Sequence, residues 1–215
     1  MRSFLPMSPR RYEERPPDAK RGRESWSKSD MKIFASLGLA VSLAATAFAM
    51  PASAQSSDPD NMLVITTKNG DIDIQLRPDL APSHVERIKE LAKEGFYDGV
   101  VFHRVIEGFM AQTGDPTGTG MGGSDKPDLK AEFSDETFDR GTVGMARSQD
   151  PNSANSQFFI MLADGDFLDG QYTVVGDVVS GMETVDAIKK GDPAQNGSVD
   201  EPDAMVKVTV GGDAG

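Results

Sequence analysis

From Ile33 to Met50 the chain carries no charged residue, and no other feature limits so sharply which part of it folds as a domain. Before this run, residues 1–30 hold eight Lys and Arg, four prolines and no period of 2 or 3.6. Such a segment has too little apolar surface to offset its ordering entropy and reads as a disordered extension. Met31-Lys32 supplies a positive start, and Pro51-Ala52-Ser53-Ala54 a small-residue end. Positive start, apolar run and small-x-small end together predict a secretory signal peptide over 31–54, cleaved after Ala54. Its start at Met31 reads as the true translation start, with residues 1–30 an overcalled extension. The alternative is an uncleaved membrane anchor over 33–50, although about 18 residues is short for spanning a bilayer and the run is rich in Ala and Ser. Arg10-Arg11 lies too far upstream for twin-arginine export, and the absence of cysteine excludes attachment through a lipobox.

The predicted mature domain, 55–215, has 13 Lys and Arg against 29 Asp and Glu, a formal net charge of −16. That balance argues against nucleic acid, whose binding rests on cations neutralising phosphates, and for high solubility. A chain of this size buries roughly 70% of its unfolded surface without staples. With no cysteine, neither a disulfide framework nor thiol chemistry is available. The single tryptophan, Trp26, falls outside this domain.

Met62–Thr66 and Ile72–Leu76 are β-patterned runs flanking Asn69-Gly70, which predicts a hairpin. Pro82 suits a first helical turn, Ser83 and Glu86 match a capping box, and Val85, Ile88, Leu91 and Ala92 form a helical stripe. Gly95 reads as its terminating glycine. Val100–Ile106, Ser156–Leu162, Tyr172–Val179 and Met205–Val210 are expected strands, and Met182–Lys190 a short helix. Residues 114–128 are a Gly- and Pro-rich loop, expected to be flexible. Short strands with two helices point to a barrel or sandwich.

On a strand, Phe102, Arg104 and Ile106 share a face. Arginine between two large apolar neighbours is unusual, because Arg is rarely buried unpaired; a structural salt bridge would explain it. Gln157, Phe159 and Met161 likewise share a face, which suits either a shallow apolar pocket with placed polar groups or a barrel interior.

Three blocks carry more. Residues 102–115, from Phe102-His103-Arg104 through Phe109-Met110-Ala111-Gln112 to Gly114-Asp115, resemble the cyclophilin signature. Gly144-Met145-Ala146-Arg147 with Asn155 to Ile160, and Phe167-Leu168-Asp169-Gly170 with Tyr172 to Gly176, resemble the family's second and third blocks. The resemblance covers about residues 61–211. It implies an all-β fold, a closed eight-stranded antiparallel β-barrel capped by two α-helices. It implies peptidyl-prolyl cis–trans isomerase activity with Arg104 as the catalytic residue. Phe109, Met110, Phe159 and Leu168 would form the proline pocket, with Phe167 at its rim. Gln112 and Gln157 would hold the substrate backbone or orient Arg104, and Ala146, Arg147 and Tyr172 would complete the substrate-binding set. Phe167, Tyr172 and Arg147 stand where many eukaryotic members have Trp, His and Asn. The combination is similar to the bacterial branch, and Phe167 predicts weak cyclosporin binding.

No cofactor, metal or covalent intermediate is expected. The expected partners are proline-containing segments of unfolded or nascent exported proteins, with no stable membrane contact after cleavage and a monomeric enzyme. Gly118 to Gly123 matches G-x-G-x-x-G, but lacks the strand before and helix after that dinucleotide binding needs. The two histidines, His84 expected on the solvated side of its helix and His103 opposite Arg104, do not suggest a metal site, and no G-x-S-x-G elbow is present. The rival reading is a proline-peptide binding module or chaperone with little turnover.

Overall fold

The computed structural model describes residues 58–211; the segments assigned above to the extension and the signal peptide lie outside them. The hairpin is present as β1 (Met62–Thr67) and β2 (Gly70–Leu76), with Leu63, Ile65, Ile72, Ile74 and Leu76 buried in alternation. Its turn differs from the expected one. Thr67 pairs with Gly70, so the two loop residues are Lys68 and Asn69. Gly70 follows them at φ 132°, a conformation that favours glycine.

Helix α1 (Pro82–Lys93) buries the predicted stripe and ends in a Schellman arrangement at Gly95, with Phe96 N–H donating to Leu91 O at 2.9 Å and Gly95 N–H to Ala92 O at 3.0 Å. The capping box does not form. Glu132 reaches in from a loop and accepts from Ser83 N–H (3.2 Å) and His84 N–H (3.1 Å), and it lies 2.6 Å from His84 Nδ1. His84 is therefore fully buried, not solvated. Burial alone would raise the Glu132 pKa, but the His84 and main-chain bonds outweigh it and hold it below the usual carboxylate range. A carboxylate satisfies orphan N–H groups at a helix start and favours the dipole there.

The remaining strands are β3 (Arg104–Ile106), β4 (Met110–Thr113), β5 (Thr142–Met145), β6 (Phe158–Met161), β7 (Val174–Ser180) and β8 (Lys207–Val210); helix α2 spans Met182–Ala187. All pairings are antiparallel, in the order β3-β4-β6-β5-β7-β2-β1-β8. Register shifts in β7 against both β2 and β5 bend the sheet, as bulges do. The closed barrel expected above is instead a curled eight-stranded sheet whose end strands, β3 and β8, share no ladder. Residues 99–102 and 203–205 fill the seam with single bonds, such as Phe102 N–H to Asp203 O at 2.8 Å and Met205 N–H to Val100 O at 2.9 Å. This is also why the expected strand over 100–106 shrinks to three residues. Its partner segment contains Pro202, which has no N–H, and Glu201 at φ 50°.

Candidate active site

The register across β3, β4 and β6 builds the site. Arg104 pairs with Gln112, and Gln112 with Phe159. Alternation then sorts each strand between two apolar clusters. Phe158 and Ile160 enter the main core, whereas Phe159 and Met161 join Met110, Phe138, Leu168 and Val174 in a second cluster outside it. Phe102 corrects the sequence reading: it packs in the main core with Val105, while Ile106 joins the second cluster. The alternation fails there because 102–103 precede the strand.

The second cluster is incompletely filled. It floors a pocket of about 120 Å³, lined by Met110, Phe159 and Leu168 with Phe109 and Tyr172, and bordered by Arg104, Gln112, Ala146 and Arg147. An apolar cavity of about 150 Å³ holds a benzene ring, so this one is sized for a single small ring. Phe138 stacks behind Phe159 at 5.8 Å and Tyr172 meets its edge at 5.9 Å, fixing the floor. Phe167 is 64% exposed and packs on Phe109 at 5.4 Å, outside the pocket lining. Arg147 lies over the Tyr172 ring, 4.4 Å from its centroid, with Nη2 donating to Gln171 O at 2.9 Å.

Arg104 makes no salt bridge among the described residues; its partners are neutral. Nη1 donates to Gln112 Oε1 (3.2 Å), with Met110 Sδ at 4.0 Å; Nε donates to Asn196 O (3.0 Å) and Nη2 to Asn196 Oδ1 (3.1 Å). Burial pulls its pKa down, with the Tyr172 hydroxyl acting in the opposite sense. A guanidinium stays protonated all the same. A full positive charge is thus held beside an apolar pocket with no counter-ion to quench it.

Gln157 does not line that pocket. It accepts from Gln112 Nε2 at 2.9 Å and donates to Gly120 O (3.2 Å) and Gly122 O (2.7 Å), so it orients Gln112. It also borders a larger adjoining groove of about 570 Å³, which shares Gln112, Ala146 and Arg147 with the first pocket. The glycine-rich loop is tied down internally. Asp115, fully buried, accepts from Thr117, Thr119, Gly120 and Gly122 N–H and from both threonine hydroxyls, at 2.6–3.3 Å. Burial would raise its pKa, but these bonds hold it far below the usual carboxylate range. A side chain at Gly122 would collide with Asp115 Oδ1. His103 is buried beside Gly120 with neither ring nitrogen partnered, and burial pushes its pKa down. Asp115, Phe138 and Asn196 were missed in the sequence. The available signals were the Asp-x-Thr-x-Thr-Gly spacing and the Asn-Gly dipeptide at 196–197.

A fixed cationic donor stands at the edge of an apolar pocket sized for one small ring, on one face of a curled antiparallel sheet. The family model described as cyclophilin type peptidyl-prolyl cis-trans isomerase/CLD matches residues 62–210. A probable peptidyl-prolyl cis-trans isomerase of Brucella suis is 60% identical over 171 residues, covering 74% of this chain and 87% of that protein. Among solved structures, the cyclophilin AquaCyp293 of Hirschia baltica superposes with a TM-score of 0.66 at 28% identity, covering 74% of this chain and 76% of that one. A Cryptosporidium parvum cyclophilin crystallised in the presence of the dipeptide Ala-Pro gives 0.65 at 29% identity, covering 71% and 99%. The chain belongs to the cyclophilin-type family and is a peptidyl-prolyl cis–trans isomerase.

Proposed function

We propose that the enzyme accelerates X–Pro rotation by donating a hydrogen bond from Arg104 to the prolyl nitrogen while the ring sits on Met110, Phe159 and Leu168. Rotation is slow because it breaks amide resonance, against a barrier of about 18–20 kcal/mol. The nitrogen lone pair becomes available only in the twisted state, so the bond forms selectively there and counts toward rate. Arginine suits the role because it is always charged and presents a fixed fork. Phe109 and Tyr172 wall the ring, Gln112 and the main chain at Ala146 and Arg147 hold the flanking peptide, and Phe167 extends the rim. No cofactor and no covalent intermediate are invoked. The observation that carries the reading is the uncompensated guanidinium of Arg104 beside a ring-sized pocket.

The substrates we propose are unfolded or nascent exported chains, whose X–Pro bonds isomerise unaided in about 10–100 s. This rests on the signal-peptide reading of 31–54, with the mature chain beginning at Gln55 in the periplasm or outside the cell. N-terminal sequencing of the secreted or periplasmic protein tests it: Gln55 first supports export, and a membrane-bound chain retaining 31–54 opposes it. The enzyme would act as a monomer.

Isomerisation of a short Ala-Pro peptide tests the chemistry. One charge-assisted bond is worth about 1.5–3 kcal/mol, so Arg104→Ala is expected to lose roughly 10- to 150-fold in kcat/KM while staying folded. A folded but silent parent would leave a proline-peptide binding module in place of this mechanism.

A further inference from the structure

Arg104 is held by residues from two distant parts of the chain. Gln112 is its ladder neighbour, but Asn196 arrives from 92 positions away. Its main-chain oxygen and its Oδ1 accept from Nε and Nη2, so one residue grips one edge of the guanidinium twice. Gln112 takes Nη1. Of the five N–H groups an arginine carries, Nη1 turns its second toward Met110 Sδ in the pocket (4.0 Å), and one on Nη2 has no partner among the described residues.

Asn196 is unusual in its backbone. With φ 56° and ψ 33° it is left-handed, one of two non-glycine residues with positive φ among those described. Asparagine is among the few residues that accept this conformation, and its side chain adds an acceptor that glycine lacks. Conformations of this kind persist where the surroundings over-determine them. Here Asp192 fixes the turn through Ala194 N–H (2.8 Å), Gln195 Nε2 (2.9 Å) and Gly197 N–H (2.9 Å). The same loop is zipped along β3: Gly191 N–H donates to Val105 O, Val105 N–H to Gly197 O, and Val199 N–H to His103 O, at 2.8–3.1 Å. A side chain at Gly197 would collide with Ile106. The loop and the arginine strand thus form one rigid unit, and Asn196 borders neither the ring pocket nor the adjoining groove.

We infer that Asn196 is a positioning residue for isomerisation: it fixes the guanidinium plane so that the remaining N–H groups face the prolyl nitrogen. The inference rests on the arginine mechanism proposed above. An arginine free to sample its rotamers would have to be ordered in each transition state; one already ordered does not.

The test uses Asn196→Gly and Asn196→Asp, each with Arg104 intact and in Arg104→Ala. Glycine keeps the left-handed backbone and the main-chain acceptor and removes only Oδ1. Asn196→Gly is expected to lower kcat about five- to tenfold with KM and unfolding midpoint unchanged. Asn196→Asp retains the acceptor but gives Arg104 a counter-ion, so it should keep the guanidinium placed and leave KM unchanged while recovering only part of the kcat lost in Asn196→Gly. In Arg104→Ala, Asn196→Gly should cost nothing further, because the partner it positions is gone. Parent-like kcat in Asn196→Gly beside a crippled Arg104→Ala overturns this inference alone, as does an equal loss in both backgrounds. Parent-like kcat in Arg104→Ala itself overturns the arginine mechanism, and this inference with it.

Discussion

The two faces of β4 and β6 carry similar residues and do opposite things. Inward, Ala111, Phe158 and Ile160 meet Leu63, Ile65, Val105 and Val143 in a core with almost no exposure. Outward, Met110, Phe159 and Met161 are nearly as buried, yet the layer above them stops short and leaves a ring-sized gap. Both faces follow from the same period of two. What separates them is the covering layer: residues of α1 and the β1–β2 hairpin join the inner cluster, whereas the outer cluster takes its cover largely from the connecting segments that carry Phe109, Phe138, Leu168 and Tyr172. A binding site here is a second core left one ring short.

The sharpest way to break that comparison is to truncate adjacent residues of β6. Phe158→Ala opens a cavity in the closed core and should cost about 3–5 kcal/mol, with activity per folded molecule near the parent's. Phe159→Ala removes a ring that already faces empty space on one side. Its stability loss should be smaller, about 2–3 kcal/mol, while KM rises roughly tenfold because the proline ring loses its floor. Urea unfolding and steady-state kinetics on both variants decide it. Equal stability losses with unchanged KM would mean that the outer cluster is ordinary core.

A smaller effect probes the loop beside the open face. Asp115→Asn replaces a carboxylate accepting from four N–H groups by an amide that points one N–H₂ among donors. Leaving such donors unsatisfied should cost about 1–3 kcal/mol. The folded-state pKa of Asp115 lies below the unfolded value of about 3.9. Its contribution is therefore complete above that pH and fades as pH falls through the folded value. The stability gap between parent and variant should be constant from pH 7 to about 4.5 and shrink at pH 3. A gap indifferent to pH would show that ionisation of Asp115 is not what holds Gly120 and Gly122 against Gln157.

What was legible in the sequence was local. The hairpin, the apolar stripe of α1, its Gly95 terminus and the alternation of β6 follow from neighbours within a few residues. The signature blocks led to Arg104, Phe109, Gln112 and Phe159, which the register brings together. Most of the failures were long-range. Ser83 and Glu86 look like a capping box, but the first turn of α1 is capped by Glu132, 49 residues from Ser83. Phe102 alternates correctly in sequence yet lies before the strand, where a distant segment meets it with a single main-chain bond, Phe102 N–H to Asp203 O. Asn196 carries no apolar pattern, and a hydrogen-bond acceptor reveals its role only once the fold delivers its donor; Asp115 was a local miss, since its donors lie within seven residues.

The smallest expected effect lies at the exposed end of the outer face. Phe167 touches Phe109 but is 64% exposed, so the closed-core logic should not reach it. Phe167→Ala should change stability by no more than about 0.5 kcal/mol and raise KM about two- to threefold, the loss of a rim contact. Phe167→Trp probes the same place from the other side. It widens the rim and adds the indole N–H that phenylalanine lacks, so it should tighten cyclosporin binding while leaving the unfolding midpoint where it is. Calorimetric titration of parent and variant with cyclosporin reads this directly. If Phe167→Trp binds no more tightly, the missing donor does not limit cyclosporin binding. If Phe167→Ala instead destabilises the chain by as much as Phe159→Ala, the outer cluster extends to its rim as a true second core.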